Sequence, residues 1–549
     1  MATTIERLSL YGQPLFDRES ILARFRAARS IDDLCPLLEL EDNYVAVYES
    51  ERGVFIVSSL YALAPYFYAL RRGVFLHADT IHGLVCQGMI DLTWNFEAVA
   101  DHLALEHVVG DDTLARGVRP VPQGAILHFD GTRLTEKRFR FDSFSRPPPA
   151  PRKIPEHLVE LFLDGLRAGQ EGMKRALLTG SAGLDSRVNL AGLLHLGYRP
   201  ELCVMGDRAS RDVEMVFAMA KAFSLPVNHV PLELGDYLDG AVEAALITNG
   251  VKPVYHWHSY ILAKKAGYGL DERVVTGNNG EHVRAAGLDA GTLSRALDAL
   301  SRVDRRLFTD AVQRRLFKKR TAILLREDEL ARCEPGFRGY YGSERQNAKF
   351  MSVLPDMSFL SRADAFVLEQ RRRGFQSCGL KLFSRGFTPY SAYLRKSWID
   401  QGWYLAPGWR VGSRWHRWAV DRLCPRLLDF PEDKEVDRMR LRERPLRWMP
   451  PFRTMHKTRN IPYSDGEALT RRPEILALLR DNATELEGLM PKSLVLELAR
   501  EHEERGGRAR LVGTLLGMAV WRAAVKGAAA TYGSRPPLPS EQVSAPSLR

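Results

Sequence analysis

Between residues 176 and 230 short apolar runs alternate with helix-length segments, and that alternation leaves few folds open. Ala176-Leu177-Leu178 reads as a buried strand, and a Gly-rich turn leads from it into a helix from about Ser186 to Leu196. Leu202-Cys203-Val204-Met205 is the next strand, Val213 to Phe223 has helical periodicity, and Pro226-Val227-Asn228-His229-Val230 is a third strand. Strands and helices in this order predict an α/β fold with a parallel, doubly wound sheet. From about residue 285 onward the pattern is largely helical.

The first turn also carries chemistry. Thr179-Gly180-Ser181-Ala182-Gly183-Leu184-Asp185-Ser186-Arg187 follows an apolar strand and opens a helix. Unpaired backbone N–H groups and the positive end of the helix dipole then face an anion. Gly183 permits close backbone approach, Ser181 and Ser186 offer hydroxyls, and Asp185 can hold a magnesium ion. A Walker A loop would place Lys before its Ser, and Asp185 stands there instead. A plain strand-to-helix turn is also rich in Ser and Gly.

With 549 residues the chain exceeds one ordinary domain, and 45% hydrophobic with 26% charged residues reads as soluble and globular. Arg146-Pro147-Pro148-Pro149-Ala150-Pro151 marks a stiff linker, taken as 146–154. It separates a domain over 1–145 from one over 155–531, and the Pro- and Ser-bearing end, 532–549, reads as a disordered tail. Before the linker short strands dominate. Tyr44–Tyr48 and Val54–Val57 form one expected hairpin; Ala125–Phe129 and Thr132–Leu134, joined through Asp130-Gly131, form another.

The net charge is +11, from 78 basic and 67 acidic side chains, and favours anionic partners such as nucleotide phosphates, nucleic acid or an acidic peptide. The clusters Arg371-Arg372-Arg373 and Lys318-Lys319-Arg320 read first as solvated basic helix faces. Six scattered cysteines make neither a zinc knuckle nor a disulfide framework, which points to a reducing compartment, most simply the cytoplasm. Met1 to Glu6 lacks a basic-then-apolar signal pattern. No stretch reaches the roughly 18 continuous apolar residues of a membrane helix. Leu515 to Ala530, interrupted by Arg522 and Lys526, reads as a packed helix.

The loop at 179–187 resembles the Ser-Gly-Gly-x-Asp-Ser signature of ATP pyrophosphatases, with Ala182 in place of the first Gly. Val204-Met205-Gly206 and Ser210-Arg211-Asp212 resemble the strand end and helix start that hold adenine in one branch, the asparagine synthetases. Val274-Val275-Thr276-Gly277-Asn278-Asn279-Gly280-Glu281 resembles the second loop of that family, where Asp-Glu is usual and Glu281-His282 stands here. An acid followed by His at this loop is also similar to the lasso-peptide macrocyclases. Asp111-Asp112-Thr113-Leu114 and Val118-Arg119-Pro120-Val121-Pro122-Gln123-Gly124 resemble the end of the family's glutamine amidotransferase domain. The likeness spans roughly residues 40 to 470.

The resemblance implies an N-terminal-nucleophile-type αββα domain, then an ATP-pyrophosphatase domain with a helical C-terminal part. It implies ATP contacts from Ser181, Ala182, Gly183, Leu184, Asp185, Ser186, Met205, Gly206, Asp212 and Gly277, with Mg²⁺ on Asp185 and Glu281. A late-loop cation assists the second step in this family. Lys457 is the candidate, with Arg459 its rival, in Met455-His456-Lys457-Thr458-Arg459-Asn460 ahead of Tyr463-Ser464-Asp465-Gly466. Tyr255-His256-Trp257-His258 lies just upstream of the second loop; two His at i and i+2 suit zinc only with further ligands, so packing or substrate contact is expected.

Family members that hydrolyse glutamine use a cysteine at position 2, whereas this chain has Ala2 and its nearest cysteine is Cys35. The same loss marks lasso-peptide macrocyclases and β-lactam synthetases, whose amine is already part of the substrate. The resemblance thus implies an AMP-forming carbon–nitrogen ligase that adenylates a carboxylate and joins it to an amine, in peptide or specialised-metabolite biosynthesis. A companion biosynthetic enzyme would be a compatible partner. Ammonia-dependent amidation of aspartate or a sugar uronate stays open. So does an RNA-modifying enzyme, against which the degenerate amidotransferase domain argues. Glutamine should not be hydrolysed, with or without ATP; stoichiometric glutamate release in a coupled assay would overturn this expectation.

Overall fold

The computed structural model describes residues 6–139, 153–284, 324–353, 364–432 and 465–532. The Pro-rich run up to residue 152, the cluster Lys318–Arg320, the stretch 433–464 with Lys457 and Arg459, and residues 533–549 lie outside the described residues.

The first part is antiparallel. Strands β1 (Arg7–Gln13), β2 (Asn43–Ser50), β3 (Gly53–Ser58), β4 (Phe67–Arg71), β5 (Val74–Ala78), β6 (Arg119–Pro120), β7 (Ala125–Phe129) and β8 (Leu134–Arg138) form two sheets. One has five strands in the order β1-β2-β3-β7-β8, and the other three in the order β5-β4-β6. The two expected hairpins are β2–β3 and β7–β8. In the second, the Asp130 carboxylate accepts the N–H groups of Thr132 and Arg133 at 2.8 Å, and Gly131 takes a φ of 96° that suits glycine.

Period-two alternation sorts the side chains. Val45, Val47, Ile56 and Leu127 meet Tyr66, Tyr68 and Phe75 of the smaller sheet. Tyr44, Ala46, Tyr48 and Phe55 face the opposite way, onto Ile21 and Phe25 of helix α1 (Arg18–Ala27). The outer face of the smaller sheet, through Phe67, Ala69 and Leu76, shares a core with Val99 and Leu103 of α2 (Phe96–Leu105). The strand pattern foretold these sheets but not the helices over them: α1 buries only Ile21 and Phe25, too few to show a helical period.

The second part is a parallel sheet. Strands β9 (Leu177–Thr179), β10 (Glu201–Met205), β11 (Val227–Val230), β12 (Arg273–Val275) and β13 (Thr388–Tyr390) lie in the order β11-β10-β9-β12-β13. Every neighbouring pair is parallel. Helices α3 (Ile154–Gln170), α4 (Leu184–His195) and α5 (Arg211–Phe223) cover one face, where Phe162, Val188 and Val216 pack on Leu178, Leu202, Val204 and Val275. Helix α6 (His258–Lys265) and the segment through Phe383 and Phe387 cover the other, on Leu177, Cys203, Val230 and Val274. Two buried faces explain the uninterrupted apolar strands. β13 departs from the helical pattern expected beyond residue 285. It is an edge strand of three residues, and its Pro389 is tolerated because an edge needs fewer N–H donors.

From β9 the chain builds outward through β10 to β11, then returns to place β12 on the other side of β9. The loops after β9 and β12 therefore diverge at the carboxyl ends of their strands, where open α/β sheets form their binding crevice. A cavity of about 60 Å³ is lined by Tyr66, Thr113, Asn249, Arg373 and Cys378 among others. Leu515, Leu516, Trp521 and Val525 of the helix Ala509–Tyr532 are buried in the protein core, and no helix among the described residues is long and apolar enough to cross a membrane. The six cysteines are free.

Helix α4, which carries Asp185, sits close on α3 because position 192 has no side chain. A Cβ there would stand 2.5 Å from Leu166 Cδ1 and 2.9 Å from Phe162 Cε1. Gly192→Val should cost about 1–3 kcal/mol by overpacking this seam, read as a lower denaturant midpoint at unchanged slope.

Candidate functional site

The loop after β9 braces itself. Gly180 N–H donates to the Cys203 carbonyl at 2.8 Å, and the Ser181 and Ser186 hydroxyl oxygens lie 2.7 Å apart. Ser186 Oγ also reaches the carbonyls of Ser181 and Gly183, each at 3.1 Å, and Gly183 N–H donates to Ser181 Oγ at 3.2 Å. Ala182 N–H donates to Asp212 Oδ1 at 2.7 Å, so this carboxylate at the start of α5 steadies the loop. Ala182 and Leu184 are buried. Met205 ends β10; Gly206 follows with a φ of 116°, and its N–H donates to the Val230 carbonyl at 3.0 Å.

The loop after β12 closes onto the first. Asn189 Nδ2 on α4 donates to the Thr276 carbonyl at 3.0 Å, and Asn279 Nδ2 donates to that of Tyr393 at 2.5 Å. A Cβ on Gly280 would lie 2.5 Å from Asp185 Cγ and Oδ1, and one on Gly277 3.1 Å from Asp185 Cβ. Two glycines thus let the second loop rest directly on Asp185. Gly277 was expected here from the sequence; the tighter contact is at Gly280.

Charges converge at this seam. Asp185 Oδ1 lies 2.7 Å from Arg284 Nη2 and 2.9 Å from His416 Nε2, yet receives no directed hydrogen bond among the described residues. Glu281 accepts from the Gln376 amide and has Arg372 Nε at 3.6 Å. Arg372 is only 1% exposed, and its Nε and Nη1 have no hydrogen bond among the described residues. Burial pushes the Asp185 carboxyl up, but Arg284, His416 and Arg372 outweigh it and hold it below the usual carboxylate range. Burial and Arg284 keep the fully buried His416 below the ordinary imidazole value despite Asp185.

Two sequence readings change here. The Arg371–Arg373 cluster, expected as a solvated face, lies on a helix of wide, π-type turns, Val367–Gln376, packed between the two parts of the chain. Arg372 therefore turns inward to Glu281, and Arg373 Nη1 pairs with Asp111 Oδ1 of the first part at 2.8 Å. His282, standing where the family usually has a second acid, is buried against Trp403 and Trp398 and donates from Nε2 to the Ile399 carbonyl at 3.0 Å. Only Glu281 of that pair joins the charge cluster.

The late segment is approached from both ends. Arg187, fully buried, donates to the carbonyls of Ala182 at 3.0 Å, Phe430 at 2.7 Å and Pro431 at 2.9 Å. Arg417 holds Glu432 through two contacts of 2.6 and 2.8 Å. The chain thus leaves the described residues at 432 beside the first loop. It returns at Asp465-Gly466, where a Cβ on Gly466 would touch the Tyr255 ring at 3.2 Å. Lys457 and Arg459 lie outside the described residues.

His258 Nδ1 donates to the Tyr255 carbonyl at 2.9 Å, and the His256 ring stands edge-on to Phe375 with centroids 5.1 Å apart. Among the described residues no three His, Cys, Asp or Glu side chains are grouped to hold a metal. Asp185 and Glu281, which share Arg372, do suit Mg²⁺, because this ion needs one or two carboxylates and takes its other ligands from water and phosphate. The buried Asp185 Oδ1, with no directed donor, fits that use. The sequence reading missed Arg284, Arg372, Gln376 and His416. Arg284 had a signal, being the first cation after the second loop; the others come from distant segments.

No protein-family profile matches the chain, and no curated protein matches it.

Because the Asp185 carboxyl is held low in the folded chain, its ionisation stabilises the fold in full above the unfolded value of about 3.9. That contribution fades as pH falls through the lowered folded value. The stability gap between wild type and Asp185→Asn should therefore be widest at neutral pH and shrink in acid, measured by denaturant unfolding across that range.

Proposed function

We propose that the protein is an ATP-dependent carbon–nitrogen ligase of asparagine synthetase type that releases AMP and pyrophosphate. The observation that carries this reading is the meeting of two strand-end loops at the crossover of a parallel sheet, with Asp185 and Glu281 set among Arg284, Arg372 and His416. Such a crevice suits a polyphosphate, and its acids suit the accompanying Mg²⁺, which when bound would polarise phosphate oxygens.

In this reading the Ser181 and Ser186 hydroxyls and the N–H groups at the start of α4 orient the phosphates, and Met205, Gly206 and Asp212 border the base. A substrate carboxylate oxygen bonds to the α-phosphorus as the bond to the β-phosphate oxygen breaks. Arg284 and Arg372 offset the charge building on the departing pyrophosphate. A substrate amine then attacks the acyl carbon, AMP departs, and Lys457 or Arg459 is the cation that faces the developing oxyanion. The helix, sheet, sheet, helix succession of the first part is compatible with an amidotransferase-like domain kept as a scaffold.

Carboxylate and amine belong, on this proposal, to one peptide or amino-acid-derived molecule, and the product is an intramolecular amide made in the cytoplasm. A held amine gains an effective concentration on the order of 10⁵ M or more, which removes the need for an ammonia-generating site.

Incubation with ATP, Mg²⁺ and a linear substrate should give AMP and a product lighter by one water. Asp185→Ala should abolish substrate-dependent AMP release; release at the wild-type rate in that variant would sink the reading. An ammonia-dependent primary amide as product would instead favour the aspartate or uronate alternative.

A further inference from the structure

Lys252 lies six residues before helix α6, and its side chain runs inward until the residue is only 6% exposed. Its Nζ sits 3.2 Å from the centroid of the Phe375 ring. Among the described residues it makes no hydrogen bond and no ion pair. Three other buried or half-buried cations among the described residues are matched differently. Arg187 is caged by carbonyls, Arg417 grips Glu432, and Lys349 Nζ bridges Asp101 at 2.9 Å and Asp112 at 3.0 Å. A buried ammonium with three idle donors is costly, and an aromatic face replaces only part of its hydration. Burial pulls its pKa down to about 7, against a pull upward from Cys378 and with a further push downward from Arg371.

The surroundings select the kind of anion. His256 and His258 are brought by burial down to about 2 and about 4, so both rings are neutral, and the positive charge comes from Lys252 together with Arg371, whose guanidinium lies 5.8 Å from the centroid of the same Phe375 ring. Phe375, the His256 ring edge-on to it, and the half-buried Tyr255 supply apolar walls. Glu106 offsets one of these two charges, and a net single cation among aromatic surfaces matches a monoanion on an organic molecule better than a phosphate, whose two charges call for an Arg pair such as Arg284 and Arg372. The seat also adjoins the charge cluster. Phe375 is followed by Gln376, which holds Glu281, and Tyr255 touches Gly466 at the return of the late segment.

We propose that Lys252, seated on Phe375 beside His256, anchors a carboxylate of the acyl substrate other than the one that is activated. That it serves the substrate rests on the ligase reading; that it is an anion seat does not. Lys252 is on this view a specificity-determining residue, and the substrate carries a second acidic group.

Melting temperatures in acetate and in malonate, against chloride at equal ionic strength, test the seat without any assumption about catalysis. Wild type should be stabilised by the carboxylates, and Lys252→Met should lose that shift. The same variant should melt at or above the wild-type temperature in chloride, because a buried cation without a partner is replaced by a matching apolar chain. If Lys252→Met melts lower than wild type, or keeps the carboxylate shift, the seat is refuted. Phosphate shifting wild type more than the carboxylates do would refute the choice of ligand. Lys252→Arg, which keeps the charge, should retain part of the shift and guards against a misfolded Met variant. With an active substrate, Lys252→Met should raise KM roughly tenfold or more while kcat changes little. Absence of any AMP formation in wild type would defeat the ligase reading yet leave the melting result standing.

Discussion

Everything at the crevice depends on burying Asp185 against Arg284 and His416 while a second loop rests on its side chain. A carboxylate taken from water is stable only where opposite charge comes with it, and here two cations and one polar ring come from three separate segments. Arg284 follows the second loop, Arg372 lies on the wide helix, and His416 lies on helix Arg414–Leu423. Each must be placed before Asp185 is satisfied, so the cluster ties loop geometry to the packing of the whole second part. Tyr393 adds to this by donating its hydroxyl to the Asp185 carbonyl at 3.0 Å. Gly277 and Gly280 are the other side of the same constraint, since a side chain at either would push the loops apart.

The wide helix Val367–Gln376 distributes this order to the first part. Ser377 N–H bonds the carbonyl of Arg372, five residues back, and the wider turn changes which side chains share a face. Arg372 and Gln376 both reach Glu281, Phe375 covers Lys252, Arg373 reaches Asp111, and Gln370 accepts the Gly110 N–H at 2.7 Å. A regular helix would not present these five in those directions. The first part meets the crevice through this element, as it also does through Gln13, which accepts the Ser391 N–H at 3.3 Å, and a change at residues 110–111 has a direct physical route to Glu281.

Much of this fold is readable in the sequence because its signals are local. The hairpins declare themselves through alternation and Asp130-Gly131, and β9 to β11 with α4 and α5 through apolar runs and period. β13 does not, because three residues with Pro389 become a strand only when the edge of β12 is already there to receive them. The site divides in the same way. Asp185, both Ser residues and Glu281 stand in compact motifs that any close reading finds. Arg372 and His416 are separated from Asp185 by some two hundred residues, so the packing alone makes them neighbours. The basic run at 371–373 misleads for the same reason: charge on a helix says nothing about which side is covered, and here the middle Arg is the covered one.

On the ligase reading, the balance of charge at the crevice would suit a polyanion that arrives with its own counter-ion. Asp185 and Glu281 offset Arg284 and Arg372, so the cluster by itself is close to neutral and its burial is tolerable. On the ligase reading, a divalent cation that took the two carboxylates would leave both guanidinium groups without their acids. Phosphate oxygens are the partners that guanidinium geometry accepts best. Neither component is then well accommodated alone: the cation would strand the arginines, and the phosphates would compete with two carboxylates for them. On that reading, binding both together would satisfy every group, and the pair, rather than either member, would be the species the crevice selects.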